Sequence, residues 1–244
     1  MNDITDIINR IAENRNLARV QRINPFSEPL NMESALRYME ALGKARSPQF
    51  CIDNENRWVY TQIIRWLYAL PDMEACNPEA IQHKKILKVP GRLTAGLYIA
   101  GTTGTGKSWA MELLNCFADI DHPKIILGGE KREIHWASKR AADIWEEAST
   151  SDEGMSKYKT MPILCIQDLG SEPISEAVRM GTRREPLREI LEARGDRSNL
   201  ITLITSNHGI CSPEIEKRYT DRVVSRLRGM CNFLVLNGKD RRTL

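Results

Sequence analysis

Three short stretches are continuously or largely apolar: Leu97-Tyr98-Ile99-Ala100, Ile163-Leu164-Cys165-Ile166 and Leu200-Ile201-Thr202-Leu203-Ile204-Thr205. Runs of this length predict strands buried on both faces, as in the parallel sheet of an α/β fold. Elsewhere the spacing is helical. Ile4, Ile7, Ile8 and Ile11 fall at i, i+3, i+4 and i+7, one face of an amphipathic helix. Asn24-Pro25-Phe26-Ser27-Glu28-Pro29 breaks that pattern, and Met32 to Leu42 resume it, with Gly43 as the expected helix end. A third helix is expected from an N-cap at Asp53, burying Val59, Ile63, Trp66, Leu67 and Leu70 and stopping before Pro71. Asn77-Pro78-Glu79 predicts a further start, with proline at the first helical position. Trp58, Trp66 and Tyr68 read as core packing. Lys88-Val89-Pro90-Gly91-Arg92 reads as a linker, dividing a helical N-terminal region (1–90) from a nucleotide domain (91–244).

Farther along, Trp109-Ala110-Met111-Glu112-Leu113-Leu114 is patterned as a helix, and Asp121-His122-Pro123 as a turn. Glu133 to Ala137 is expected as a short strand and Ser138 as the cap of a helix through Ala148. Ser149 to Tyr158 is polar and reads as exposed.

Composition is ordinary for a globular protein, and no apolar run approaches the length of a membrane span. Met1-Asn2-Asp3-Ile4-Thr5-Asp6 lacks the basic and apolar regions of an export signal. The six cysteines are scattered without a C-x-x-C pair, so reduced thiols in a cytoplasmic protein are expected. His122 and His135 lack metal-ligand spacing and read as structural. From Arg179 onward there are fourteen Lys/Arg against eight Asp/Glu, and before it 21 against 24. A basic C-terminal part suits nucleic acid, or equally a solvated surface with nucleotide-facing pairs.

The densest chemistry lies in Gly101-Thr102-Thr103-Gly104-Thr105-Gly106-Lys107-Ser108, with Trp109 following. It fits G-x-x-x-x-G-K-[ST] between an apolar run and a helical pattern, the context a phosphate-binding loop requires. Glycines let successive N–H groups turn inward as an anion nest, and the following helix adds its positive end. Lys107 is expected on the β- and γ-phosphates of ATP and the Ser108 hydroxyl on Mg²⁺. The strand from Ile163 delivers Asp168 to the C-terminal sheet edge, where it can hold Mg²⁺ or polarise water. The strand from Leu200 ends in Ser206-Asn207, an amide placed to orient water beside the γ-phosphate, or a turn residue.

Taken together, the phosphate loop, the strand to Asp168-Leu169-Gly170, the strand to Thr205-Ser206-Asn207 and Tyr219-Thr220-Asp221-Arg222-Val223-Val224-Ser225-Arg226-Leu227-Arg228 resemble the DnaC/IstB group of AAA+ ATPases. That group holds bacterial helicase loaders and transposition helpers. The likeness covers roughly residues 90–244 and more weakly the approach from Phe50-Cys51-Ile52-Asp53. It implies an α/β fold, a P-loop AAA+ core with a parallel sheet flanked by helices, preceded by a small helical region. It implies a sensor asparagine at Asn207 and an arginine finger at Arg226, with Arg222 as alternative, completing a neighbouring subunit's site. Gly238-Lys239-Asp240-Arg241-Arg242 resembles the family's short ending. One position departs: where the family has two adjacent acids, this chain has Gln167 then Asp168. A neutral amide is a poorer ligand for a hard cation, so ATP binding is expected with slow hydrolysis.

Three functions are compatible with these residues. A helicase loader would bind single-stranded DNA and grip a replicative helicase through its N-terminal region. A transposition helper would bind duplex DNA and a transposase. A small-molecule kinase would use Arg183-Arg184 on a second phosphate, but the Asn207 strand and the Arg222/Arg226 segment argue against it. Arg183, Arg184 and Lys157 are the candidate DNA contacts. No membrane association is expected.

Overall fold

The computed structural model describes residues 19–82, 86–173, 177–179 and 182–241. The expected helix on Ile4, Ile7, Ile8 and Ile11 lies outside the described residues. Strand β1 (Gln21–Arg22) leads into helices α1 (Met32–Arg46) and α2 (Arg57–Leu67). Helix α1 is capped by the Asn31 side chain, which accepts from the Ser34 N–H. It runs through Gly43 to Arg46 instead of stopping there; that glycine lies beneath Phe50, whose ring a Cβ would overlap. The cap of α2 is Asn56 and not Asp53; Asp53 sits one turn earlier, accepting from the N–H groups of Glu55 and Asn56.

Strand β2 (Glu74–Cys76), helix α3 (Pro78–Gln82) and strand β3 (Lys88–Pro90) follow. Lys88–Pro90 is therefore no linker: it pairs antiparallel with β2. The apolar run then forms β4 (Gly96–Ala100), and the phosphate loop passes into α4 (Lys107–Asp121). His122 at φ 46° ends that helix at the expected turn. Strands β5 (Lys124–Leu127) and β6 (Glu130–Glu133) pair with each other, and β5 with β1. The strand expected over Glu133–Ala137 thus ends at Glu133. Ser138 caps no helix; it opens edge strand β7 (Ser138–Arg140), ahead of α5 (Ala141–Thr150). The polar stretch after Ser149 is not all exposed loop either. Ser151 caps helix α6 (Asp152–Thr160) through the Gly154 N–H, and Met155 and Tyr158 are buried.

Strand β8 (Ile163–Leu169), the hairpin β9 (Ala177–Arg179) and β10 (Thr182–Arg184), helix α7 (Pro186–Gly195), strand β11 (Ile201–Ser206), helix α8 (Pro213–Met230) and strand β12 (Cys231–Val235) complete the fold. The central sheet has the order β12-β4-β11-β8-β7, and every pair in it is parallel. Alternation along the strands divides the core into two layers. Leu97, Ile99, Cys165, Leu203 and Leu234 face α1, α2 and α4; Tyr98, Leu164, Ile166, Ile204 and Phe233 face α5 to α8. Trp66 and Tyr68 are buried in the first layer, as the pattern predicts, while Trp58 is half-buried and donates to Glu74 at 3.2 Å. Helices α1 and α2 therefore share a core with the sheet. No helix among the described residues is long and apolar enough to cross a membrane.

Candidate nucleotide site

The C-terminal ends of β4, β8 and β11 meet at a cavity of about 550 Å³. Its phosphate end is lined by Thr103 to Ser108, Asp168, Ser171 and Asn207. Gly104 and Gly106 adopt φ of +81° and +94°, a left-handed region costly for other residues. Nothing lies within 4 Å of where a Gly106 Cβ would stand. Thr105 closes the loop by donating its hydroxyl to the Thr102 carbonyl at 2.9 Å, and α4 begins with Ala110 N–H on the Gly106 carbonyl. Lys107 is only 5% exposed. Its ammonium donates to the Thr102 carbonyl and to Asn207 Oδ1, both at 2.8 Å.

The strand ends that carry Asp168 and Asn207 are fastened to each other. The Asp168 N–H donates to Thr205 Oγ1 at 3.0 Å, and Ser206 Oγ donates to the Leu169 carbonyl at 2.7 Å. The parallel register shifts between Ile204 and Ser206, and Asp168 sits at φ +56°. That irregularity brings Asp168 onto the cavity wall. Gln167, opposite Arg140 in the neighbouring strand, is not among the residues lining it. Asp168 is thus the acid facing the loop. The donor set fits a nucleoside triphosphate: amides around two left-handed glycines, a buried ammonium, a helix N-terminus and the Asp168 carboxylate. Ser108 and Asp168 would hold Mg²⁺, which takes one or two protein oxygens and completes its shell from phosphate and water. No cluster of three metal-ligating side chains occurs among the described residues.

Apart from Trp109, the other end of the cavity comes from residues the sequence did not single out as site residues. Ser47, Gln49, Phe50, Cys51 and Tyr60 line it from the N-terminal region, Glu112 with Trp109 from α4, and Arg241 from the C-terminus. Phe50 and Trp109 stand 6.1 Å apart between ring centroids, with Arg46 over the Trp109 ring. Burial pushes the Tyr60 phenol up, so it remains a neutral donor.

Arg226 is not in this cavity. It lies between α7 and α8, against Gly195, and donates to Asp196 at 2.7 and 3.0 Å; Arg222 is exposed. Helix α8 is broken by Thr220 at φ 65° and ψ 156°. Just before the break, buried Glu172 accepts from Arg218, from the Tyr219 hydroxyl and from the Gly170 N–H. This cluster ties the segment after Asp168 to α8. Of the candidate DNA contacts, Arg184 pairs with Asp152 at 2.9 Å and Lys157 lies 3.7 Å from Glu147. The Arg183 backbone pairs with Val178 in the hairpin. His122 and His135 each face a carboxylate, Glu133 and Asp119 respectively. Cys76, Cys165, Cys211 and Cys231 are buried thiols.

No protein-family model matches the chain, and no curated protein does. Solved structures do. A protein of Streptococcus pyogenes serotype M3 assigned as a primosome component superimposes with a TM-score of 0.51 at 18% identity, over 78% of this chain and 84% of that one. The DnaC helicase loader superimposes with a TM-score of 0.50 at 19% identity, over 77% and 93%. With the parallel sheet, the loop between β4 and α4, and the helices on both faces, these likenesses show that the chain shares the α/β fold of that primosome component and of the DnaC helicase loader.

Proposed function

We propose that the chain is an ATP-binding accessory protein of DNA replication, a helicase-loader-type switch that hydrolyses ATP slowly at a subunit interface. The observation that carries this reading is the Lys107 ammonium, buried and held by Thr102 and Asn207 at 2.8 Å on the wall that also presents Asp168. Exchanging two neutral oxygens for phosphate oxyanions strengthens every bond that ammonium makes. Asn207, released by the same exchange, is placed to orient a water, and Asp168 to polarise it. A single carboxylate must then serve where related sites use two, which keeps turnover low and makes the bound state long-lived. The solved helicase loader that shares this fold supports the replication role. In that role the region 1–90 grips a replicative helicase, single-stranded DNA lies along the assembly, and self-association places Arg226 in a neighbour's site.

Titration with ATP and Mg²⁺ tests the first step: the wild-type chain binds and Lys107→Ala loses about 100-fold or more in affinity. Titration with single-stranded DNA tests the second, with log affinity falling linearly as log salt rises. Preference for duplex with a transposase would replace the loader reading with the transposition helper. Consumption of ATP only with a small acceptor, indifferent to DNA, would replace both with a kinase.

A further inference from the structure

We infer that Arg241 is a nucleotide-binding residue of this chain's own site, carried on a C-terminal strap that lets go of Asp53 and Glu55 when a nucleoside polyphosphate enters. The inference rests on the nucleotide reading above and adds a ligand and a regulatory contact to it. The strap is residues 236–241. Leu236 N–H donates to the Ala100 carbonyl at 2.7 Å, and the Leu236 carbonyl lies against Gly101, where a Cβ would strike it. At the other end Arg241 N–H donates to the Gly104 carbonyl at 2.9 Å, and the Asp240 carboxylate packs on Gly104. The strap thus follows the phosphate loop and is fastened to it twice. Gly101 and Gly104 admit the strap as well as shaping the nest.

Arg241 points into the same cavity as the loop, Phe50 and Tyr60, and its side chain is 14% exposed. Its guanidinium donates to Asp53 at 2.9 Å and lies 3.4 Å from Glu55. A guanidinium fork prefers polyphosphate oxygens, which it meets bidentately and at higher charge density than two separate carboxylates. Asp53 can release it cheaply, because its carboxylate also accepts from the Glu55 and Asn56 amides at 3.0 and 3.3 Å. Those amides form the turn that opens α2, and α2 supplies Tyr60 to the cavity. Nucleotide arrival would therefore be felt by the N-terminal helices through one ion pair.

The test compares Arg241→Ala with Asp53→Asn, which break the same pair from opposite sides. With ATP and Mg²⁺ as the probe, Arg241→Ala weakens binding about tenfold or more, the worth of one charge-assisted contact. Asp53→Asn tightens it, since the competitor is gone, and Arg241→Lys falls between wild type and Arg241→Ala. If Arg241→Ala fails to fold, Asp53→Asn and Arg241→Lys decide alone. Equal weakening by both partners would show a merely structural tether and overturn the inference while leaving nucleotide binding intact. Unchanged affinity in Arg241→Ala would do the same. A wild-type chain that ignores ATP overturns this inference together with the reading it rests on, which separates the two failures.

Discussion

At the scale of single residues, the site turns on which of two neighbours carries the acid. Successive residues of a strand face opposite ways, and the left-handed Asp168 at φ +56° re-aims the strand so that Asp168, not Gln167, lines the cavity. Asp168→Asn is therefore expected to lower turnover about 10²-fold, with ATP affinity little changed. Gln167→Asp is expected to leave turnover within about twofold of wild type, because it adds charge away from the γ-phosphate. A rise of tenfold or more in steady-state turnover for Gln167→Asp would return the metal to that position. Asp53 supplies a second expectation. The hydrogen bond from Arg241 holds its carboxyl below the usual carboxylate range despite partial desolvation. A depressed folded value means stability that is complete above the ordinary carboxylate pKa and lost as pH falls from there through the depressed folded value. The stability gap between wild type and Arg241→Ala, measured by thermal melting, should be open at pH 7 and narrow as pH falls below the ordinary carboxylate range.

At the scale of elements, one buried cation holds three of them together. Arg194 on α7 donates to Thr202 Oγ1 at 2.9 Å and to the carbonyls of Tyr158, Met161 and Ile201 at 3.0, 2.7 and 2.6 Å. Burial lowers its pKa to about 9, so it stays charged at neutral pH. Arg194→Met keeps the bulk but strands three carbonyls, at a cost of about 3–5 kcal/mol. A melt on the order of 10 °C lower is expected for a chain this long; an unchanged melt would show that α6, α7 and β11 are held by apolar packing alone. Nothing in the sequence announces Arg194, since its partners run from Tyr158 and Met161 at the end of α6 to Ile201 and Thr202 in β11. The strands β4, β8 and β11 were legible because parallel strands are buried on both faces and read as apolar runs. Edge strand β7 was not, because Ser138-Lys139-Arg140 pairs on one side only and keeps its polar surface. Helix α6 hid for a related reason, with only Met155 and Tyr158 turned inward. The turn between β4 and α4 was legible because its glycine spacing is local. Arg241 was not: the contact with Asp53 joins residues 188 positions apart, and only the fold brings them together.

At the scale of the whole molecule, the question is how an arginine outside its own cavity could serve catalysis. Arg226 sits on the far half of α8, beyond the break at Thr220, paired with Asp196. On the reading proposed above, a side chain so placed would reach a γ-phosphate across a heterologous, head-to-tail contact with another copy of the chain. Such a contact makes two kinds of defective subunit complementary. On that reading a Lys107→Ala subunit would lose nucleotide but still offer its arginine, and an Arg226→Ala subunit would hold nucleotide but offer none. Each protein alone should be inactive. In an equimolar mixture, half the sites are intact, and half of those border a neighbour with a working arginine, so about a quarter of wild-type turnover should return. Turnover should also rise more steeply than linearly with protein concentration until the interface saturates. A mixture as inactive as its components would confine Arg226 to its bond with Asp196. The same experiment with Arg222→Ala then decides whether the exposed arginine, one turn earlier and free to reach outward, is the group that crosses the interface.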